Sequence, residues 1–382
     1  MRNIEETRRE LDAIDDQIAE LYNRRLDLAR DVADAKRADG SPISNPARER
    51  EILARIAKKV GPDREDGAAL LFTTLFGLSK ALQRELLIGE SDVTMAMDKA
   101  AADTGSIFPS GETVACQGTE GAYSQIAASR IFKFPVILFF NGFEDVFNAV
   151  EKGMCRYGVL PIENSTAGSV TSVYDQMARH NFSIVRATRI PVSHVLLARK
   201  GASLKSIREV TSHPQALQQC SACLQSLKDV RQTPAINTAV AARMVAESGR
   251  DDFAAIASRE CAEVYGLDIL AEDISNTPAN FTRFICISKN LEIYPDSRKI
   301  SIMMSLPHRP GSLGAILAKF SAIGVNLTKL ESRPVPGRDF EFRFNFEFEA
   351  TPGNPKVRRL ISELALDPEI EHFTFLGAYA EI

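Results

Sequence analysis

Three short polar clusters lie between residues 161 and 284 of a 382-residue chain. They are Pro161-Ile162-Glu163-Asn164-Ser165, Ser212-His213-Pro214-Gln215-Ala216-Leu217-Gln218-Gln219-Cys220 and Asn280-Phe281-Thr282-Arg283-Phe284. Each sets hydrogen-bonding side chains among apolar residues or beside a proline. Buried polar groups cost free energy unless paired, so these clusters point to a site more than to a core. His213 has an ordinary pKa near neutrality and is a candidate acid. The competing reading is that Pro214 fixes a turn and the imidazole braces the loop.

A second set of candidates lies in the first ninety residues. Residues 4–38 read as one long amphipathic helix, with Leu11, Ile14, Ile18, Leu21, Leu28 and Val32 at spacings of three and four and one step doubled. Arg25 fills the doubled step, and the same register reaches Arg8 and Lys36. A charge on an apolar seam is costly unless it is paired or snorkels to water. Three cations on one stripe favour an anion site. A second helix starts near Pro46 with Asn45 as its cap, carries Arg48 and Glu49, and ends at Gly61-Pro62. A third spans about 67–87, where Ser79 and Gln83 interrupt an apolar face of Phe72, Phe76 and Leu86. So small a helical unit makes little core alone, which predicts dimerisation through the first helix.

These candidates need scaffolds. Residues 89–111 read as a linker with some helical character over 95–102. Beyond it, strands are expected at 113–117, 157–161, 195–198, 254–257 and 281–288, and helices at 123–132 and 215–227. Such alternation predicts an α/β fold with a largely parallel sheet. Ligands of such folds sit at strand carboxyl ends and helix N-termini, where the first two polar clusters fall. The last segment reads βαββαβ, the ferredoxin-like order. In its strand at 340–349, Phe342, Phe344, Phe346 and Phe348 form one buried face, with Glu341, Arg343, Asn345, Glu347 and Glu349 on a wet one.

Composition sets limits. Hydrophobic content of 45%, charged content of 25% and a net charge of −4 describe a globular protein with no general pull toward nucleic acid. No segment reads as a membrane span or signal peptide. Six cysteines suit free thiols in a reducing cytoplasm. Cys220 and Cys223 have redox-motif spacing but lack partners for zinc, so no metal or cofactor is expected. No GxGxxG follows a strand, which argues against a dinucleotide-dependent dehydrogenase.

The three central clusters, in this order, resemble prephenate dehydratase, and the first ninety residues resemble the helical chorismate mutases. Pro310-Gly311-Ser312-Leu313, Asn326-Leu327 and Glu331-Ser332-Arg333-Pro334 resemble the ACT regulatory domain of such dehydratases. The resemblance implies an all-α mutase domain at 1–90, a linker at 91–110, a two-lobed α/β dehydratase domain of periplasmic-binding-protein type at 111–290, and an α+β ACT domain at 298–382. It implies a mutase site of Arg8, Arg25, Lys36, Asn45, Arg48, Glu49, Ser79 and Gln83. Lys36 and Gln83 would donate to the ether oxygen of chorismate, and Arg8 would serve a partner's site. It implies a cleft lined by Thr119, Tyr123, Ser124, Glu163, Asn164, Ser165, Ser212, Gln215, Gln219 and Arg283, with Thr282 as the central catalytic residue. It implies phenylalanine binding near Gly311, Leu313, Asn326, Leu327, Glu331, Ser332, Arg333 and Pro334. The expected protein is a cytoplasmic bifunctional enzyme, a homodimer or higher oligomer, without nucleic-acid or membrane partners. The alternative is a monofunctional dehydratase whose helices only dimerise. Asn45, Ala187, Asn237 and Asn276 depart from the residues usual in the family.

Overall fold

The structure, a computed structural model, describes residues 3–227, 229–277, 279–335, 337–338 and 341–382. Two compact units emerge from its packing. One comprises the chain to Met95 with Arg309–Gly324 and Pro355–Glu371; the other comprises Ala96–His308, Val325–Asn354 and His372–Ile382.

The first unit holds helices α1 (Ile4–Asp39), α2 (Pro46–Val60) and α3 (Glu65–Ile88). Asn3 caps α1 by accepting from the Glu5 amide, and Gly40 closes it at φ 73°, a conformation that costs glycine little. Asn45 caps α2 by accepting from the Arg48 amide at 3.1 Å, with Pro46 at the first helical position. Both α1 and α2 pack on α3. Ala29 and Ala33 are the buried residues of α1. Its leucine stripe is not covered: Leu11, Ile18, Leu21 and Leu28 are all more than half exposed. Helices Ser312–Ala322 and Pro355–Ala365 belong to the same unit. In it the buried Arg84 of α3 donates to both carboxylate oxygens of Asp367, at 3.1 and 2.9 Å.

The second unit carries two sheets. In chain order come β1 (Thr113–Gln117), β2 (Val136–Phe140), β3 (Tyr157–Asn164), β4 (Gly168–Ser169) and β5 (Ser183–Pro191). Next are β6 (Val195–Ala198), β7 (Glu209–Ser212), β8 (Arg231–Pro234), β9 (Phe253–Ala257) and β10 (Asp268–Ala271). The chain then forms β11 (Phe281–Ser288), β12 (Lys299–Leu306), β13 (Asn326–Pro334), β14 (Phe342–Glu349) and β15 (Glu371–Glu381). The larger sheet runs β13-β14-β12-β15-β5-β11-β3-β1-β2, with β4 beside β3; the smaller runs β10-β6-β9-β7-β8.

The expected, largely parallel sheet is in fact mixed. β1 is parallel to β2 and β3, whereas β11 is antiparallel to β3 and β5. In the smaller sheet β7 is parallel to β8 and β9, and β6 is antiparallel to β9 and β10. The chain leaves the larger sheet along β5, builds the smaller sheet, and returns beside β5 as β11. A parallel return would demand a crossover to the far end of the neighbouring strand. The single helix expected at 215–227 is two, Pro214–Gln219 and Ser221–Ser226, separated at Cys220. The expected linker contains the helix Asp92–Asp103.

The wet face of β14 also needs correction. Asn345 and Glu347 are each 7% exposed. The expected phenylalanine face is buried only at Phe346 and Phe348, because Phe342 is 38% exposed, and on the other face Glu347 meets Arg283, Lys299 and Tyr379 of the same unit. Among the described residues, no helix is long and apolar enough to cross a membrane, and no His, Cys, Asp and Glu cluster could hold a metal ion.

Candidate active sites

The helical unit gathers four of its predicted site residues in two pairs. Arg25 donates to Ser79 Oγ and, at 2.8 Å, to the Leu75 carbonyl, with its guanidinium 5.7 Å from the Phe76 ring centre. Lys36 Nζ donates to the Ile43 carbonyl at 2.7 Å and to Gln83 Oε1 at 3.1 Å. Because the lysine occupies the amide oxygen, the Gln83 NH2 is left as a donor. Burial pulls Arg25 below its ordinary pKa. Burial also lowers Lys36, with Asp39 and Glu49 opposing it. A cationic cluster held without a full complement of acids suits a polyanionic ligand.

The other predicted members differ in position. Glu49 pairs with Lys80 at 3.1 Å, whereas Arg48 turns to Glu51 at 2.7 Å on the surface. The Asn45 side chain is committed to its cap. Arg8 is exposed, and at about 1.5 Å rise per residue it lies about 25 Å along α1 from Arg25. Within one chain it is remote from that group.

In the second unit, the register of β3 against β11 sets Thr282 opposite Asn164. Asn164 Nδ2 donates to Thr282 Oγ1 at 2.9 Å and to Asn280 Oδ1 at 2.9 Å. Asn164 Oδ1 accepts from the Thr166 and Ala167 amides, at 3.1 and 3.0 Å. From the smaller sheet's side it also accepts from Gln215 Nε2 at 3.2 Å and Gln219 Nε2 at 3.5 Å. Ser165 Oγ accepts from the Phe281 amide at 3.0 Å. Two sheets thus meet at one buried amide. The Thr282 hydroxyl accepts from Asn164, so its own proton remains free to be donated.

Six predicted cleft residues have their partners elsewhere. Successive strand residues alternate between faces, so Glu163 and Arg283, paired with each other in the register, lie opposite Asn164 and Thr282. Arg283 is 3% exposed, with Glu347 at 2.6 Å and Glu381 at 3.2 Å. Glu163 pairs with Lys329 at 3.0 Å. Ser212 is fully buried and donates to the Ile256 carbonyl at 2.6 Å, and Ser124 donates to the Gln117 carbonyl at 2.6 Å. Both hydroxyls serve the backbone. Tyr123 donates to the Ser193 carbonyl at 2.9 Å, and Thr119 sits at the Tyr265 hydroxyl.

His213 caps the helix Pro214–Gln219: its Nδ1 accepts from the Gln215 amide at 3.2 Å, and burial lowers its pKa. Sequence reasoning passed over His194. It is 2% exposed, its Nε2 lies 3.1 Å from Gln219 Oε1, and desolvation keeps it below its ordinary pKa. It stands in no polar cluster along the chain, so only the fold reveals it. Asn280 also donates to Gln219 Oε1, at 3.3 Å. The departures have local roles. Asn237 caps the helix Thr238–Glu247, Asn276 ties the Gln218 carbonyl to Ser221, and Ala187 is buried. Burial pushes the Cys220 thiol up to about 12 and raises that of Cys223, which disfavours the thiolate at both.

Of the residues predicted for an effector, Glu331 and Arg333 have side-chain partners of their own. Gly311, at φ 85°, caps the helix Ser312–Ala322, which begins just before Leu313. Asn326, Leu327, Ser332 and Pro334 lie on β13. From the same strand, Glu331 accepts from Ser169 Oγ at 2.7 Å, and Arg333 holds Asp175 through two nitrogens.

Comparison with known proteins matches two segments of the chain. The family model for prephenate dehydratase matches residues 114–292, and that for type II chorismate mutase matches residues 7–84. The chain is 39% identical over 280 residues to arogenate dehydratase/prephenate dehydratase 2 of Arabidopsis thaliana, covering 70% of this chain and 72% of the relative. It is 29% identical to the bifunctional chorismate mutase/prephenate dehydratase of Escherichia coli K12, over 94% of this chain and 91% of the relative. A solved prephenate dehydratase from Arthrobacter aurescens, in complex with L-Phe, superposes with a TM-score of 0.64 at 29% identity, covering 70% of this chain and 89% of that one. With a mutase match ahead of a dehydratase match, the chain belongs to the bifunctional chorismate mutase–prephenate dehydratases.

Proposed function

We propose that the helical unit rearranges chorismate to prephenate and that the two-sheet unit converts prephenate to phenylpyruvate. The first reaction is pericyclic and needs no proton transfer. The protein selects a folded conformer and stabilises negative charge growing on the ether oxygen. Arg25 suits a substrate carboxylate, and Lys36 with the Gln83 amide supplies two donors for the ether oxygen. Arg8 acts on a partner's site; its distance from Arg25 and the exposed leucine stripe of α1 support a dimer formed along that helix.

The second reaction expels the ring hydroxyl as carbon dioxide leaves, and aromatisation drives it. Prephenate gains one proton and yields phenylpyruvate, carbon dioxide and water. One observation carries this reading: Asn164 donates to Thr282 Oγ1, which leaves the threonine proton to be offered to the departing hydroxyl. An alcohol is a weak acid, so Thr282 serves as a positioned donor in a dry site. Gln215, Gln219 and Asn280 hold the Asn164 amide.

The segment 298–382 is read as an ACT domain that senses phenylalanine. Its element order is βαββαβ, and its four strands lie in the order second, third, first, fourth. Inhibition requires phenylalanine to bind the less active state more tightly. The functional segments are then 1–90, 111–290 and 298–382.

The test is incubation with chorismate at neutral pH, following prephenate and phenylpyruvate separately, with and without phenylalanine. Expected are prephenate, then phenylpyruvate, with the second step slowed by phenylalanine. Untouched chorismate with consumption of added prephenate would reduce the helices to a dimerisation device. Consumption of arogenate but not prephenate would overturn the substrate assignment.

A further inference from the structure

The face of the larger sheet turned away from Thr282 carries an ionic cluster of its own. Lys329 of β13 lies 3.0 Å from Glu163 Oε1, donates to Ser169 Oγ at 2.9 Å, and sits 5.9 Å from the Tyr174 ring centre. Its side chain is 14% exposed. Ser169 in turn donates to Glu331 of the same strand.

Glu163 and Ser169 face each other across the β3–β4 pair, as do Asn164 and Gly168. The turn between these strands contains Thr166 and Ala167, whose amides hold Asn164 Oδ1. One lysine therefore grips both stems of the turn that orients Asn164. Asn164 is the residue that donates to Thr282.

We propose that Lys329 is a positioning residue of the dehydratase site. It reaches the reacting centre through Glu163, the β3–β4 turn and the Asn164 amide, and it does so from a strand of the C-terminal segment. The dehydratase site is thus completed by a residue outside the matched dehydratase region, which ends at residue 292. Glu163 acts as the counter-charge of Lys329. The ammonium is partly withdrawn from water, so its pairing is screened less than a surface contact.

This inference rests on the dehydratase reading above, and its test separates the two. Steady-state turnover of prephenate is measured for the full-length parent, Lys329→Met, Lys329→Arg, Glu163→Gln and the double variant Glu163→Gln/Lys329→Met. Misplacement of the amide in Lys329→Met lowers kcat about tenfold, with KM within about twofold, because no substrate contact is removed. Lys329→Arg recovers most of the loss. The double variant falls no further than Lys329→Met, since the pair acts as one unit. Parent kcat in Lys329→Met, or losses that multiply in the double variant, overturns the proposal. If Lys329→Met does not fold, the exchange Glu163→Lys/Lys329→Glu decides. A kcat above that of either single reversal supports the pairing, and one no better refutes it. A parent chain that leaves prephenate untouched would sink the dehydratase reading itself, a different outcome from an unaffected variant.

Discussion

Replacing Glu347 by glutamine removes a charge from the most buried ion cluster behind the dehydratase site. Its carboxylate takes Arg283 at 2.6 Å, the Thr328 hydroxyl at 2.6 Å, the Tyr379 hydroxyl at 2.9 Å and Lys299 at 3.3 Å. Burial alone would raise its pKa. Arg283, Thr328 and Lys299 outweigh burial and bring it from an ordinary 4.5 to about 2. A shift of that size corresponds to about 3 kcal/mol of folded-state preference for the charged form. Breaking a buried pair costs about 3–5 kcal/mol by direct measurement in other proteins. Glu381, 3.2 Å from Arg283, holds the cost to the lower figure. For a unit of this size about 3 kcal/mol lowers Tm by roughly 6–12 °C.

The sign with pH follows from the depressed value. The Glu347 contribution is complete above its unfolded pKa and is lost as pH falls toward about 2. The stability gap between parent and Glu347→Gln should therefore hold steady from pH 7 to 5. Below pH 4.5 it should narrow by about 1.4 kcal/mol per unit. Denaturant titrations, following the transition in which dehydratase activity disappears, measure both. A gap under about 0.5 kcal/mol at pH 7 would refute the reasoning, because surface substitutions give as much. So would a gap that does not narrow between pH 5 and pH 3.5.

Three further outcomes follow from the sites. Lys36→Met should lower chorismate rearrangement about 10²–10³-fold, as loss of a preorganised donor does, while added prephenate is consumed at the parent rate. Thr282→Val should lose dehydratase turnover by a similar factor and Thr282→Ser should retain it within about tenfold; equal losses would show that the hydroxyl is not the working group. His213→Ala should cost about 1 kcal/mol in stability through its lost cap, yet leave the dehydratase pH profile between 6 and 8 unchanged. A shifted profile would make the imidazole a proton donor after all.

The helices and strands that carry these sites were legible because each announces its period. Arg25 stands out because it occupies a leucine position on α1, and Thr113–Gln117, Val195–Ala198 and Phe281–Ser288 begin and end as expected. Partners across a sheet were not legible. The alternation that makes Phe346 and Phe348 apolar neighbours fixes which residues share a face, but it is silent on what covers that face. Asn345 and Glu347 read as wet because charged residues usually are; burial beside Arg283 required three segments far apart in sequence to converge.

Glu163 and Arg283 expose a subtler limit. Both stand beside residues of the Asn164–Thr282 pair, and the family resemblance implies a common cleft for all four. A strand forbids it, since neighbours in sequence point to opposite faces. The period-two argument was available from the sequence once each cluster was assigned to a strand. What it could not supply is the reason for a buried arginine next to Thr282. Only the packed unit provides that reason, because Glu347 of β14 and Glu381 of β15 both meet Arg283 there. A polar cluster in a sequence can therefore serve two faces at once, one turned to chemistry and the other to the element that holds the chemistry in place.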